Sequence, residues 1–223
     1  MTAERGTSVD EESYRELLDE YGQRKGEIER RLEEFERVGQ RPFKVLFSEM
    51  CFCLLTPQSR ARACDAAVRE LQKKGMLYKG SWEEIADRMS GVRFHENKAR
   101  YIVEARELFT SDWGFDLDGI VRKGTKAKTL REWFVKNVKG LGYKEASHFL
   151  RNVGVGFDLA ILDRHILGNL LRYGVIDSVP QNMTRKQYLD IEKKMRKFAK
   201  KVDIEMGALD LLFWSMETGE VFK

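Results

Sequence analysis

Hydrophobic residues recur along most of this chain at intervals of three and four, the spacing that gathers them on one face of an α-helix. Between residues 11 and 38, Tyr14, Leu17, Leu18, Tyr21, Ile28, Leu32, Phe35 and Val38 mark such a face. That pattern predicts one helix or two, because Gly22 and Gly26 weaken the middle. Residues 43–55, FKVLFSEMCFCLL, are apolar nearly all round, as in a helix enclosed by its neighbours. Their aromatic and β-branched content also suits a strand. Further helices are predicted over 60–74, which Ser59 can cap, over 81–89, where Ser81 and Glu84 have capping-box spacing, and over 95–109. His95 at the start of the last one reads as a cap or a surface residue. Residues 110–124, with Trp113, Phe115 and several glycines and aspartates, read as irregular.

Two helical patterns then flank a short turn. Thr129 and Glu132 have capping-box spacing, Trp133, Phe134 and Val138 follow, and Ala146, Phe149 and Leu150 resume the period beyond Gly140-Leu141-Gly142. After a Gly-rich loop (Gly154, Gly156) come helices over 163–172, 184–202, opened by Thr184 and Gln187, and 205–216, and a tail from Thr218 to Lys223. No convincing period-2 run occurs, so the fold class is all-α. Residues 1–10 are polar and acidic and are expected to be disordered.

Composition narrows the class. The chain has 223 residues, 42% hydrophobic and 34% charged, enough for one large domain or two lobes. No stretch approaches the roughly 20 apolar residues of a membrane span, and the N-terminus lacks the pattern of a signal peptide. The expected location is therefore intracellular. Cys51, Cys53 and Cys64 sit in apolar, helix-like surroundings and are expected to be buried, reduced thiols. The net charge of +4 is uneven: residues 1–40 carry seven Lys/Arg against twelve Asp/Glu, residues 121–151 nine against two, and residues 184–201 eight against two. The block around the turn has the composition of a polyanion footprint; the one over 184–201 reads as a footprint or as a solvated face.

The turn itself suggests the anion. A helix, a Gly-x-Gly hairpin and a second helix let backbone N–H groups approach a phosphate, which then meets the positive end of the second helix. Lys144 stands at that edge. Downstream, Leu162-Asp163-Arg164-His165 opens another helix. Asp163 there suits an N-cap, a catalytic carboxylate or both. Gln58 lies in the Thr56-Pro57-Gln58-Ser59 break and reads as an ordinary turn residue or as a polar wedge.

Hairpin, lysine, Gly-rich loop and aspartate in this order resemble the helix-hairpin-helix DNA glycosylase superfamily. The run Gly142-Tyr143-Lys144-Glu145-Ala146-Ser147-His148-Phe149-Leu150-Arg151-Asn152 is similar to the archaeal and thermophilic-bacterial 8-oxoguanine DNA glycosylase/AP lyase branch. The resemblance covers the chain from about residue 40 onward. It implies two helical lobes with an active-site cleft between them, one from residues 11–56 and 154–223, the other from 57–153, with no iron–sulfur cluster and no cofactor. It implies double-stranded DNA bearing 8-oxoguanine or abasic sites as the partner, and a monomer in the cytoplasm or nucleoid of a prokaryote. Lys144 would be the Schiff-base nucleophile and Asp163 the stabilising carboxylate. Gln58, Gly140, Gly142, Tyr143 and His165 would bind DNA. Trp214, Phe222 and Lys223 would form the base pocket, although Trp214 also suits core packing and Lys223 a frayed end. A monovalent cation is implied on the carbonyls of Lys136, Val138 and Leu141. Two alternatives stay open: the same scaffold acting on oxidised pyrimidines, and a non-catalytic helix-hairpin-helix DNA-binding protein.

Overall fold

Phe43 to Leu55 form a helix in which Leu46, Phe47, Met50, Cys51, Phe52, Cys53, Leu54 and Leu55 are all buried. That length and all-round enclosure settle the helix-or-strand ambiguity of the segment. The computed structural model describes residues 11–111 and 114–223. Among them are twelve helices and no strand: α1 (Glu11–Gly39), α2 (Phe43–Leu55), α3 (Ala61–Lys73), α4 (Met76–Lys79), α5 (Trp82–Ala86), α6 (His95–Thr110), α7 (Leu117–Arg122), α8 (Ala127–Asn137), α9 (Tyr143–Asn152), α10 (Arg164–Arg172), α11 (Arg185–Lys201) and α12 (Met206–Thr218). No helix among the described residues is long and apolar enough to cross a membrane. The expectation of disorder over 1–10, and Trp113, lie outside the described residues.

The chain divides into two compact units. One comprises residues up to Leu32 and Phe157–Phe222; the other comprises Glu33–Gly156 and Lys223. The sequence-based division placed 11–56 with 154–223. The boundary falls instead inside α1, because α2 packs against α3, α6, α7 and α9. A helix apolar on every side has to be surrounded, and these four surround it.

In the second unit α8 and α9 pack against each other. Phe134 meets Phe149 edge-on at 5.0 Å, and Trp133 meets Phe134 at 5.1 Å. Each buried aromatic of this kind contributes about 1.5–3 kcal/mol of transfer free energy. In the first unit Tyr173 stacks on Phe213 at 5.6 Å and on Phe198 at 5.9 Å, tying α10, α11 and α12 together. Helix α1 is continuous through Gly22 and Gly26. Its solvated side carries i,i+4 pairs such as Arg15–Glu11 and Lys25–Glu29. Leu18, assigned from periodicity to the buried face, is exposed.

The capping boxes at Ser81–Glu84 and Thr184–Gln187 form. The one expected at Thr129–Glu132 does not. Helix α8 starts earlier, after Lys126, and Glu132 is engaged by the Tyr143 hydroxyl at 2.6 Å. Ser59 does not cap α3 either; its hydroxyl accepts from the Arg93 N–H and the Lys98 ammonium. The segment 110–124, read as irregular, contains α7, which buries Leu117 and Val121. All three cysteines are free and buried; burial pushes the Cys64 thiol up to about 11. They are therefore inert packing groups at neutral pH.

Two glycines behave oppositely. Gly154 has φ +74°, and a Cβ there would sit 2.6 Å from the Glu36 Cα; Gly168, inside α10, would meet nothing within 4 Å. Gly154→Ala is therefore expected to lower unfolding free energy by about 2 kcal/mol or more, and Gly168→Ala to raise it by up to about 1 kcal/mol. Urea denaturation of the two variants checks both signs.

Candidate active site

The hairpin is built by strain that only glycine accepts cheaply. Gly140 has φ +92°, and a Cβ there would come within 2.5 Å of the Tyr101 ring. The turn closes through the Leu141 N–H to the Val138 carbonyl at 3.2 Å. That carbonyl keeps a second lone pair, so it can still take part in a cation site with the carbonyls of Lys136 and Leu141. Gly142 is the N-cap of α9. Its N–H donates to the Glu145 carboxylate at 3.2 Å, so that amide is already engaged within the protein. Tyr143 lies beside the Arg131 guanidinium, 5.2 Å from its ring centre. Lys123, Lys126, Lys128, Lys136 and Lys139 are exposed around the hairpin.

Lys144 sits in the first turn of α9 with its side chain 22% exposed. Its ammonium donates to the Thr56 hydroxyl at 3.1 Å and lies 3.1 Å from the Glu145 carboxylate. Thr56 in turn donates to the Cys53 carbonyl at 2.9 Å. The lysine is therefore tied to the end of α2, where the last carbonyls lack intrahelical partners and the helix dipole favours a cation. Lys139, on the hairpin itself, is exposed and paired with Glu104 at 2.9 Å.

The loop 56–59 is pinned by a residue that sequence reasoning missed. Lys98, 4% exposed, donates to the carbonyls of Leu55 at 2.8 Å and Pro57 at 2.7 Å and to the Ser59 hydroxyl at 3.0 Å. Burial lowers its pKa, and the charge of Lys144 acts in the same direction. Its signal in the sequence is a lysine in register with Ala105, Ile102 and Phe109 on the buried stripe of α6. On this clamped loop Gln58 is exposed and has φ +55°. A left-handed glutamine costs on the order of 1 kcal/mol and persists only where its surroundings impose it.

In the other unit, Asp163 caps α10. One carboxylate oxygen accepts from the His165 and Ile166 amides at 2.8 and 2.9 Å. The second oxygen makes no hydrogen bond among the described residues. The approach to Asp163 is held by two residues that the sequence did not single out. The Tyr188 hydroxyl donates to the Ala160 carbonyl at 2.6 Å, and the buried Glu192 carboxylate accepts from the Ala160 amide at 3.0 Å. Both project from the buried face of α11, whose far side exposes Lys193, Lys197 and Lys200. His165 lies on the first turn of α10, with the Arg164 guanidinium 3.2 Å from its Nε2. Trp214 and the buried Phe222 ring are 6.0 Å apart in the same unit. Lys223 belongs to the hairpin-bearing unit, where its ammonium lies 2.9 Å from Glu49 and 3.0 Å from Asp65. The structure thus groups Gln58, Lys144 and Lys223 in one unit and Asp163, His165, Trp214 and Phe222 in the other.

A strained glycine hairpin beside a part-buried lysine, with a capping aspartate further on, is the arrangement expected of a DNA glycosylase, and comparison with known proteins agrees. The profile of the family described as 8-oxoguanine DNA glycosylase matches residues 28–204. The chain is 42% identical to the 8-oxoguanine DNA glycosylase/AP lyase of Fusobacterium nucleatum over 95% of its own length and 98% of that protein's. It is 42% identical to that of Korarchaeum cryptofilum over 88% and 90%. The crystal structure of the 8-oxoguanine DNA glycosylase of Thermotoga maritima aligns with a TM-score of 0.85 at 38% identity, covering 96% of this chain and 99% of the other. The Methanocaldococcus jannaschii 8-oxoguanine glycosylase/lyase, solved with a 15-mer DNA containing 8-oxoguanine, aligns with a TM-score of 0.82 at 35% identity, covering 93% and 99%. The chain belongs to the 8-oxoguanine DNA glycosylase family.

Lys98→Met removes the donor shared by the Leu55 carbonyl at the end of α2 and the Pro57 carbonyl of the loop beyond it. It is expected to cost about 2 kcal/mol of stability and, by releasing the Gln58 loop, to weaken binding to an abasic-site duplex about tenfold. Lys139→Met breaks an exposed pair with Glu104 and an exposed contact 5.5 Å from the Tyr101 ring centre, and should leave stability within about 0.5 kcal/mol. Chemical denaturation of both variants and fluorescence-anisotropy titration of Lys98→Met test this.

Proposed function

We propose that this protein is a bifunctional 8-oxoguanine DNA glycosylase and AP lyase of base-excision repair. It acts on double-stranded DNA bearing 8-oxoguanine or abasic sites, removing the base and then cutting the strand. The observation that carries the reading is the position of Lys144, in the first turn behind the glycine hairpin and bonded to the loop that bears Gln58, in a chain of this family. A binding module needs the hairpin but has no use for a part-buried lysine at that point.

In the proposed chemistry the neutral amine of Lys144 attacks C1′ as the bond from C1′ to the base breaks. The departing base takes up a proton, and the sugar ring opens to a Schiff base on Lys144. Loss of a C2′ proton then expels the 3′ phosphate by β-elimination, and water releases the lysine. The sugar carries oxocarbenium character as the base leaves, and the Asp163 carboxylate stabilises it electrostatically. The free oxygen of Asp163 suits this role, because the other oxygen is committed to the α10 amides. Gln58 fills the gap left by the extruded nucleotide. Tyr143, His165 and the amides of the hairpin hold the backbone phosphates, with a monovalent cation on the hairpin carbonyls as an electrostatic bridge. Trp214, Phe222 and Lys223 belong to the base pocket. Guanine is rejected because it lacks the N7–H donor of 8-oxoguanine, which leaves the pocket acceptor unpaired.

Borohydride reduction with an 8-oxoguanine duplex is expected to trap a covalent adduct that Lys144→Gln abolishes. An adduct surviving that substitution would remove Lys144 as the nucleophile, and equal excision of thymine glycol would remove the base assignment. Asp163→Asn separates the two roles of that residue. Asn is a good N-cap, so thermal stability should hold within about 0.5 kcal/mol while single-turnover excision falls about a hundredfold or more. Full activity would leave Asp163 with only its structural role.

A further inference from the structure

Lys223 is held in a way that the proposed chemistry does not use. Its side chain is 15% exposed, as is that of Glu49, and that of Asp65 is 9% exposed. The Glu49 carboxylate takes the Lys223 ammonium on one oxygen at 2.9 Å and the Asn152 amide on the other at 3.1 Å. Asp65 takes the ammonium on one oxygen at 3.0 Å and the Arg69 guanidinium on the other at 2.6 Å. The ammonium also lies 4.7 Å from the centre of the Phe52 ring. Two carboxylates thus meet two cations, and each carboxylate oxygen has one partner.

Such a cluster is a poor way to gain stability. Removing an ammonium and two carboxylates from water costs several kcal/mol per ion, and apolar residues of equal volume often do as well. What a closed network provides is one position. Charge pairing requires the ammonium to sit between α2, which supplies Glu49 and Phe52, and α3, which supplies Asp65. Burial opposes its charge, but the two carboxylates more than offset this and raise the Lys223 pKa. The ammonium is thereby committed to the protein, so the side chain acts as an anchor and fixes where the backbone of residue 223 lies. Beside it is His148, 7% exposed, stacked edge-on to Phe52 at 5.5 Å. Burial, reinforced by the charges of Arg151, Lys144 and Lys223, keeps that imidazole neutral.

We propose that Glu49 and Asp65, with the Phe52 ring, form a seat whose task is to position Lys223 for recognition of the lesion, and that they are positioning residues for base excision but not for strand cleavage. This rests on the reading of the protein as an 8-oxoguanine glycosylase/AP lyase. An abasic site has no base to recognise, so its cleavage should not need the seat.

Glu49→Gln and Asp65→Asn keep shape and remove one charge each. Each is expected to lower kcat/KM for 8-oxoguanine excision about tenfold or more, while cleavage of an abasic-site duplex by the same preparation stays within about twofold. Combined with Lys223→Met, Glu49→Gln should add little to the loss in excision caused by Lys223→Met alone, because the two remove one interaction. A merely structural role would lower both activities together. Folded variants that keep the wild-type ratio of excision to abasic cleavage overturn the seat. If one carboxylate variant fails to fold, the ratio measured on the other decides. A wild-type protein inert on both substrates would overturn the glycosylase reading and the seat with it.

Discussion

The C-terminal end of α2 is the constraint around which the hairpin-bearing unit is arranged. A helix leaves its last carbonyls without partners and concentrates negative partial charge there. Here that end is buried, so the carbonyls must be met by protein donors. Lys98 meets that of Leu55, the last residue of the helix, and that of Pro57 in the loop beyond it. Thr56 and Cys64 meet the carbonyls of Cys53 and Leu55. Lys144 reaches the same place through the Thr56 hydroxyl. Two lysines are thereby gathered at one helix end.

Cations gathered in this way serve different ends. Lys98 is saturated with three oxygen acceptors and holds the 56–59 loop in a shape that forces Gln58 to a positive φ. Lys144 is more open, with its side chain 22% exposed and one hydroxyl acceptor, that of Thr56. Lys223, further along α2, is neutralised by Glu49 and Asp65. The number and charge of the partners separate a strut, the proposed nucleophile and the proposed anchor among residues of one chemical type.

The other unit uses the start of a helix where this one uses an end. Asp163 satisfies two of the first amides of α10 with one oxygen, which orients the carboxylate and leaves its second oxygen available. The residues that hold the approach, Tyr188 and Glu192, come from α11. The same helix turns lysines outward, so its buried and solvated faces have separate tasks.

The sequence by itself determined what local rules control. Helix positions followed from 3.6-residue periodicity, two of the three capping boxes from their spacing, and the hairpin from Gly140, whose φ excludes other residues at little cost. The positions of Lys144 in the first turn of α9 and of Asp163 at the N-cap of α10 were legible because each is set by its own helix start. Only the tertiary structure decided which charges meet. Lys98 contacts Leu55 across 43 positions and Lys223 contacts Glu49 across 174, and no local pattern encodes such pairs. The failed predictions share this cause: Ser59 and Glu132 have capping chemistry, but Lys98 and Tyr143 engage them first. A short polar side chain binds whichever donor folding brings nearest, and burial makes that choice costly to reverse.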